Sequence, residues 1–137
     1  MIRILIADDH PIFRQGLRTV IEADPLFRVI GEAGDGESAL ARIRELQPDV
    51  AVLDVDMPPP AGLAVAHELR NKPIAIIFLT MHKDEATLNA ALDSGVKGFV
   101  VKDEATNEII SCIKAVFAGQ SFISPALSGQ LLNRPSL

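Results

Sequence analysis

One stretch in the middle of the chain, Val50-Ala51-Val52-Leu53-Asp54-Val55-Asp56-Met57-Pro58, restricts the fold more than any other. An unbroken apolar run meets an aspartate. A run so short and so apolar suits a strand buried on both faces, as strands inside a parallel sheet are. Pro58 has no N–H to give a ladder, so the strand stops there. Asp54 therefore stands at the C-terminal end of a central strand, on the edge where open α/β sheets bind ligands. A carboxylate in that place serves as a metal ligand, a nucleophile or a cap for the next loop.

The rest of the chain alternates in the same way. Ile2 to Ala7 is an apolar run ending in Asp8-Asp9, and Pro11 suits the first turn of a helix whose inward face is Ile12, Gly16, Leu17, Val20 and Ile21. Phe27 to Ala33 is a second strand, Gly34-Asp35-Gly36 a turn, and Ala39, Leu40, Ile43 and Leu46 mark a second helix. After the Asp54 strand, Gly62 to Arg70 reads as a short helix and Ile74 to Leu79 as a strand ending in Thr80. Asp84 to Asp93 is a helix polar enough to pack weakly, closed by Ser94-Gly95. Gly98 to Val101 is a short strand ending in Lys102, and Thr106 caps a last helix that faces inward with Ile109, Ile110, Ile113, Val116 and Phe117. Strands each followed by a helix imply a five-stranded parallel sheet with helices on both faces, in an order the pattern does not fix. Residues 1–119 form the domain. Residues 120–137, with Pro125, Gly129 and Pro135 among Ser, Leu and Asn, read as a linker or frayed tail.

Composition narrows the function. The formal charge of −5 gives no electrostatic footprint for nucleic acid. The single cysteine, Cys112, lies beside the apolar face of the last helix and reads as a buried small hydrophobe. It cannot pair internally and fits a reducing, cytoplasmic setting. The N-terminus is too short in its apolar run for a signal peptide, and no run is long enough to span a membrane.

The strand ends carry the chemistry. Asp8 and Asp9, Asp54, Thr80 and Lys102 all fall on one edge of a parallel sheet. Clustered carboxylates with open access make a hard-oxygen site suited to Mg²⁺ with waters retained. A lysine balances charge and pairs with a phosphate oxygen, to which a threonine hydroxyl also donates. Phosphoryl transfer needs positioning and charge neutralisation, and an aspartate can act as its covalent nucleophile.

These pieces resemble the receiver domain of a two-component response regulator. The matching segments are Ile6-Ala7-Asp8-Asp9-His10, Leu53-Asp54-Val55-Asp56-Met57-Pro58, Gly62, Thr80 and Gly98-Phe99-Val100-Val101-Lys102, within residues 2 to 118. Any one is a weak motif; together and in this order they are specific. The resemblance implies a flavodoxin-like fold with strand order 2-1-3-4-5. It implies Asp54 as phosphoryl acceptor, Asp9 as direct Mg²⁺ ligand with Asp8 acting through water, and the Asp56 backbone carbonyl as a further ligand. Thr80 would be the switch hydroxyl, Lys102 the phosphate-pairing lysine and Phe99 a rotating aromatic or a plain packing residue. The implied partner is a histidine kinase, with phosphorylation altering the face of helix four, strand five and helix five for a partner or a second copy, or pairing two copies through the first and fifth helices. Asp9-His10-Pro11, Leu79-Thr80-Met81-His82 and Val101-Lys102-Asp103 resemble the LuxR/NarL subfamily. That implies a helix-turn-helix DNA-binding domain beyond residue 137, missing from this chain and linked by residues 120–137.

Two departures stand out. Pro58-Pro59-Pro60 replaces a loop that usually has glycine after its first proline, and Pro59 cannot take positive φ, so the loop is stiffened or differently folded. Lys102 is followed by Asp103 rather than proline, so that peptide bond is expected to be trans. His10 reads as a polar start to the first helix rather than as a ligand, His67 as a solvated helix residue, and His82 as either exposed or an influence on acyl-phosphate hydrolysis. Two alternatives compete. Asp54-Val55-Asp56 fits the DxD of haloacid-dehalogenase-type phosphatases, but there the DxD strand precedes the acidic pair, and here Asp8-Asp9 come first. A pseudo-receiver that works without phosphate draws support only from the triple-proline loop.

Overall fold

The computed structural model describes residues 1–81 and 85–127, without the side chains of Glu85 and Thr87. In chain order it runs β1 (Ile2–Ala7), α1 (Pro11–Glu22), β2 (Phe27–Ala33), α2 (Gly36–Leu46), β3 (Val50–Asp54) and α3 (Gly62–Glu68). Then come β4 (Ala75–Thr80), α4 (Glu85–Asp93), β5 (Gly98–Val101), α5 (Ala105–Phe117) and β6 (Phe122–Ile123). The sheet order is β2-β1-β3-β4-β5-β6 and every pairing is parallel. The flavodoxin-like order implied by the resemblance holds, with a sixth strand added beyond β5.

The period-2 geometry of strands sorts the core into two layers. Ile4, Ile6, Val50, Val52, Ile77 and Leu79 face α1 and α5. Leu5, Ala7, Ala51, Leu53, Ile76 and Phe78 face α2, α3 and α4. Every residue of β3 is buried, as its unbroken apolar run demands. With neither Trp nor Tyr in the sequence, the layers are packed mostly by aliphatic side chains. Phe78 and Phe99 meet edge-to-face, centroids 6.5 Å apart at 82°, a favoured aromatic geometry.

Several expectations need correction. Residues 120–127 are not a loose tail. β6 adds to the β5 edge with Phe99 opposite Ile123, and a short 3₁₀ turn, Pro125–Leu127, follows. Ser124 and Leu127 are fully buried. The packed domain thus runs on past 119, because strand β5 would otherwise leave backbone groups unpaired beside an apolar surface. In α1 the inward face is turned from the one expected: Ile12 is 87% exposed and Gly16 lies on the surface, while Phe13, Leu17 and Ile21 point in. Phe117 is half-exposed, and Cys112 takes the inward place on α5. That helix starts at Ala105, directly after a 3₁₀ turn over Lys102–Glu104, so Thr106 is not its cap. Among its described side chains α4 buries Leu88 and Ala91.

Candidate functional site

The ends of β1, β3, β4 and β5 lie side by side and bring the predicted residues together. Asp8 and Asp9 follow β1, Asp54 ends β3, Thr80 ends β4 opposite Val101, and Lys102 follows β5. Asp8, Asp54, Thr80 and Lys102 are buried. Asp9 and Asp56 are exposed.

Lys102 is the hub. Its Nζ lies 2.7 Å from Asp8 Oδ2 in an ion pair. It donates to Asp54 Oδ2 at 3.2 Å and stands 4.7 Å from the centre of the Phe13 ring, within cation–π range. Burial works against its charge, but Asp8 and Asp54 together outweigh burial and raise its pKa. Asp54 is also raised, first by burial and then by the Asp8 charge, against the opposing pull of the Asp56 N–H and Lys102. That N–H donates to Asp54 Oδ1 at 2.9 Å.

His10 stands at the start of α1, as its polar helix-start reading expected, and its ring also borders this pocket. Its Nδ1 lies 3.1 Å from Asp8 Oδ1, 3.1 Å from Asp9 Oδ1 and 3.1 Å from Lys102 Nζ. Phe13 and Arg14 were not singled out from the sequence either. Arg14 Nη1 donates to the Asp8 carbonyl at 2.6 Å and its Nε to Glu32 at 2.9 Å, which ties the β1–α1 turn to β2. The available signal was the spacing: Pro11 opens α1, so His10 sits beside the acidic pair and Phe13 and Arg14 fall in the first turn above it. His67 is an exposed residue of α3, and His82 lies outside the described residues.

The triple-proline loop is braced rather than free. Pro58 O accepts from the N–H of Gly36 at 3.1 Å, and the Pro59–Pro60 bond is cis. A Cβ on Gly36 would come within 1.7 Å of Pro60 O. None of the described positive-φ residues, Gln47, Gly95 and Gly119, falls in this loop. The Lys102–Asp103 bond is trans, as expected. Gly36→Ala should lower stability by about 2 kcal/mol, since backbone must move to admit the methyl; a chemical denaturation midpoint equal to that of the unsubstituted chain would contradict the brace.

Two clefts of about 320 and 540 Å³, both lined in part by Leu69, Lys72 and Ile74, lie at the opposite, N-terminal edge of the strands. The chemistry is instead in the open acidic pocket. One ligand atom from each of Asp8, Asp9, His10 and Asp54 lies within 4.8 Å of the others. Such a donor set, mostly hard oxygen, is able to hold a divalent cation.

The response regulator receiver domain model matches residues 4–114. The response regulator GacA of Pseudomonas viridiflava is 36% identical over 133 residues, which is 96% of this chain and 62% of that protein. The DNA-binding transcriptional activator DevR/DosR of Mycobacterium tuberculosis is 38% identical over 135 residues, 96% of this chain and 62% of its own length. The crystal structure of a LuxR-family two-component response regulator from an Aurantimonas species superposes with TM-score 0.91 at 33% identity, covering 97% of this chain and 96% of that one. The chain spans about three fifths of the curated relatives it matches. In fold, in sequence and in the grouping of acids with lysine at one sheet edge, this chain belongs to the response regulator receiver domain family, as a receiver of the LuxR/NarL kind.

Proposed function

We propose that Asp54 accepts a phosphoryl group from a histidine kinase, and that Mg²⁺ assists from the pocket formed by Asp8, Asp9 and Asp54. The observation that carries this reading is the setting of Asp54. It is a buried carboxylate with one oxygen on Lys102 and the other on a backbone N–H, next to an acidic pair of which one member is open to solvent. In the transfer a carboxylate oxygen of Asp54 bonds to phosphorus as the bond to the kinase imidazole breaks. Lys102 moves its charge from Asp8 to the incoming phosphoryl oxygens, and Thr80 donates to one of them. Asp9, Asp54 and the Asp56 carbonyl would hold the ion directly, and Asp8 would act on it through water. The ion supplies charge neutralisation at the phosphoryl oxygens. The protein has no turnover beyond its own phosphorylation and dephosphorylation. Acidic pair before Asp54 is the chain order that favours this reading over a dehalogenase-like phosphatase.

Intact-mass measurement after treatment with acetyl phosphate and Mg²⁺ should show one phosphoryl adduct, and Asp54→Asn should show none. The same adduct on Asp54→Asn refutes the assignment. Mg²⁺ should also raise the melting temperature, because it relieves repulsion among the carboxylates. At millimolar ion the expected rise is about 3 °C, roughly 1 kcal/mol, and it should shrink in Asp9→Asn. A melt unchanged across that range would contradict the metal site.

The longer protein is proposed to be a cytoplasmic transcription regulator that pairs with a second copy when phosphorylated. It would meet DNA through a separate helix-turn-helix, as a net charge of −5 here offers no basic excess. One of the similar solved structures is an RcsB–DNA complex. These residues alone should not shift promoter DNA at physiological salt; a shift by them would overturn that division of labour.

A further inference from the structure

We propose that His10 is a further ligand of the cation pocket and biases it toward divalent ions that accept imidazole, such as Co²⁺, over Mg²⁺. This rests on the metal reading of Asp8, Asp9 and Asp54 above and adds a ligand of a different chemical kind. His10 occupies the N-cap of α1 with extended backbone, φ −103° and ψ 100°, yet its side chain makes no capping hydrogen bond. That position normally takes Ser, Thr, Asp or Asn, whose oxygen accepts an N–H of the first turn. The imidazole forgoes that bond and turns its Nδ1 into the pocket.

There Nδ1 is 3.1 Å from Asp8 Oδ1 and 3.1 Å from Asp9 Oδ1. Adjacent ligands of a six-coordinate ion with bonds of about 2.1 Å are separated by about 3 Å, and opposite ligands by about 4.2 Å. The ligand atoms of Asp9, His10 and Asp54 lie within 4.8 Å of one another and of an Asp8 oxygen, so the three need only small shifts to share one ion, with Asp8 reaching it through water. The two oxygens of Asp8 face different neighbours: Oδ2 faces Lys102 Nζ at 2.7 Å, and Oδ1 faces the imidazole Nδ1 at 3.1 Å. Lys102 Nζ also stands 3.1 Å from Nδ1. In the tautomer with its proton on Nε2, the ring already presents a lone pair to a positive charge. A divalent ion on the Oδ1 side replaces that contact with a ligand bond. The ring is largely exposed, so it can adjust its rotamer without disturbing the core.

Mg²⁺ prefers oxygen and gives up its water reluctantly, whereas imidazole suits later first-row ions. The nitrogen should therefore strengthen Co²⁺ and leave Mg²⁺ nearly unaffected. Calorimetric titration of this 137-residue chain with CoCl₂ and with MgCl₂ tests it, with His10→Asn as the variant and His67→Asn as a control for surface histidine. Asn is a favoured N-cap, so His10→Asn should keep the fold, as its melting curve in EDTA would verify. The expected result is a loss of about tenfold in Co²⁺ affinity with Mg²⁺ within about twofold, and a change in the visible Co²⁺ absorption. His67→Asn should leave both affinities alone. Unchanged Co²⁺ affinity in His10→Asn, or an equal loss for both ions, overturns the ligand assignment while leaving the oxygen site standing. If the unsubstituted chain binds neither ion, the metal reading itself falls.

Discussion

Replacing Lys102 with methionine is expected to cost about 3 kcal/mol of stability at pH 7 without metal, because it leaves buried carboxylates without their cation. Asp8 is wholly buried and Asp54 nearly so, with the Lys102 ammonium 2.7 and 3.2 Å away. The pH dependence has a definite sign. The pKa of Lys102 is raised in the fold, so its contribution is complete at neutral pH and is lost only as pH rises through the folded value. The pKa of Asp54 is raised too, so its neutral form favours folding below the ordinary carboxylate range, and that contribution is lost as pH rises through the folded pKa. Without Lys102 the opposition to ionisation at Asp54 grows. The deficit of Lys102→Met relative to the unsubstituted chain should therefore be largest near pH 7 and smaller at about pH 4, because Asp54, whose pKa is raised, takes up its proton as the pH falls. Adding Asp54→Asn should recover part of it, since the amide still accepts from the Asp56 N–H. Urea denaturation in EDTA at the two pH values measures this; a deficit that is absent, or the same at both, contradicts the charge balance described here.

Leu127→Ala should destabilise the chain by about 3 kcal/mol, the usual cost of emptying a buried leucine site. Leu127 is fully buried in the cluster that holds Phe99, Val101 and Leu88. Ser124 anchors the same segment: its N–H donates to Phe99 O at 2.9 Å, and its hydroxyl takes the Val101 N–H at 3.4 Å and donates to Glu108. Ser124→Ala should cost about 1 kcal/mol. Leu26→Ala, at a half-exposed leucine, should stay within about 0.5 kcal/mol and serves as the comparison. If residues 120–127 were a frayed linker, Leu127→Ala would match Leu26→Ala. The segment also bonds to β5 at Phe99 and at Val101, the latter one residue before Lys102. A displacement of Lys102 by phosphoryl at Asp54 would thus be felt where the chain leaves the sheet.

The amino-acid sequence by itself determined the alternation of strands and helices, and it determined which side chains share the C-terminal sheet edge. Both follow from local rules. An apolar run such as Val50–Leu53 is a buried strand wherever it occurs, and a parallel sheet sends the ends of its strands to one side. Asp8, Asp9, Asp54, Thr80 and Lys102 could be placed together for that reason. Strand order was open to the pattern and came only with the family resemblance, since every interior parallel strand presents the same apolar code.

Only the tertiary structure decided how the pocket is wired and where the domain closes. The helical period of α1 allowed either Ile12 or Phe13 to face inward; packing against β1 and the cation of Lys102 selects Phe13 and leaves Ile12 in solvent. His10 looked like a helix-start residue because nothing local says which way an N-cap side chain turns, and it turns toward two carboxylates a residue or two away. Phe122–Leu127 carries the Ser, Pro and short apolar composition of a linker, and no periodicity marks a two-residue strand. It is ordered by contacts more than twenty residues distant in sequence, the open edge of β5 and the cleft beside Phe99, which exist only after the sheet has formed.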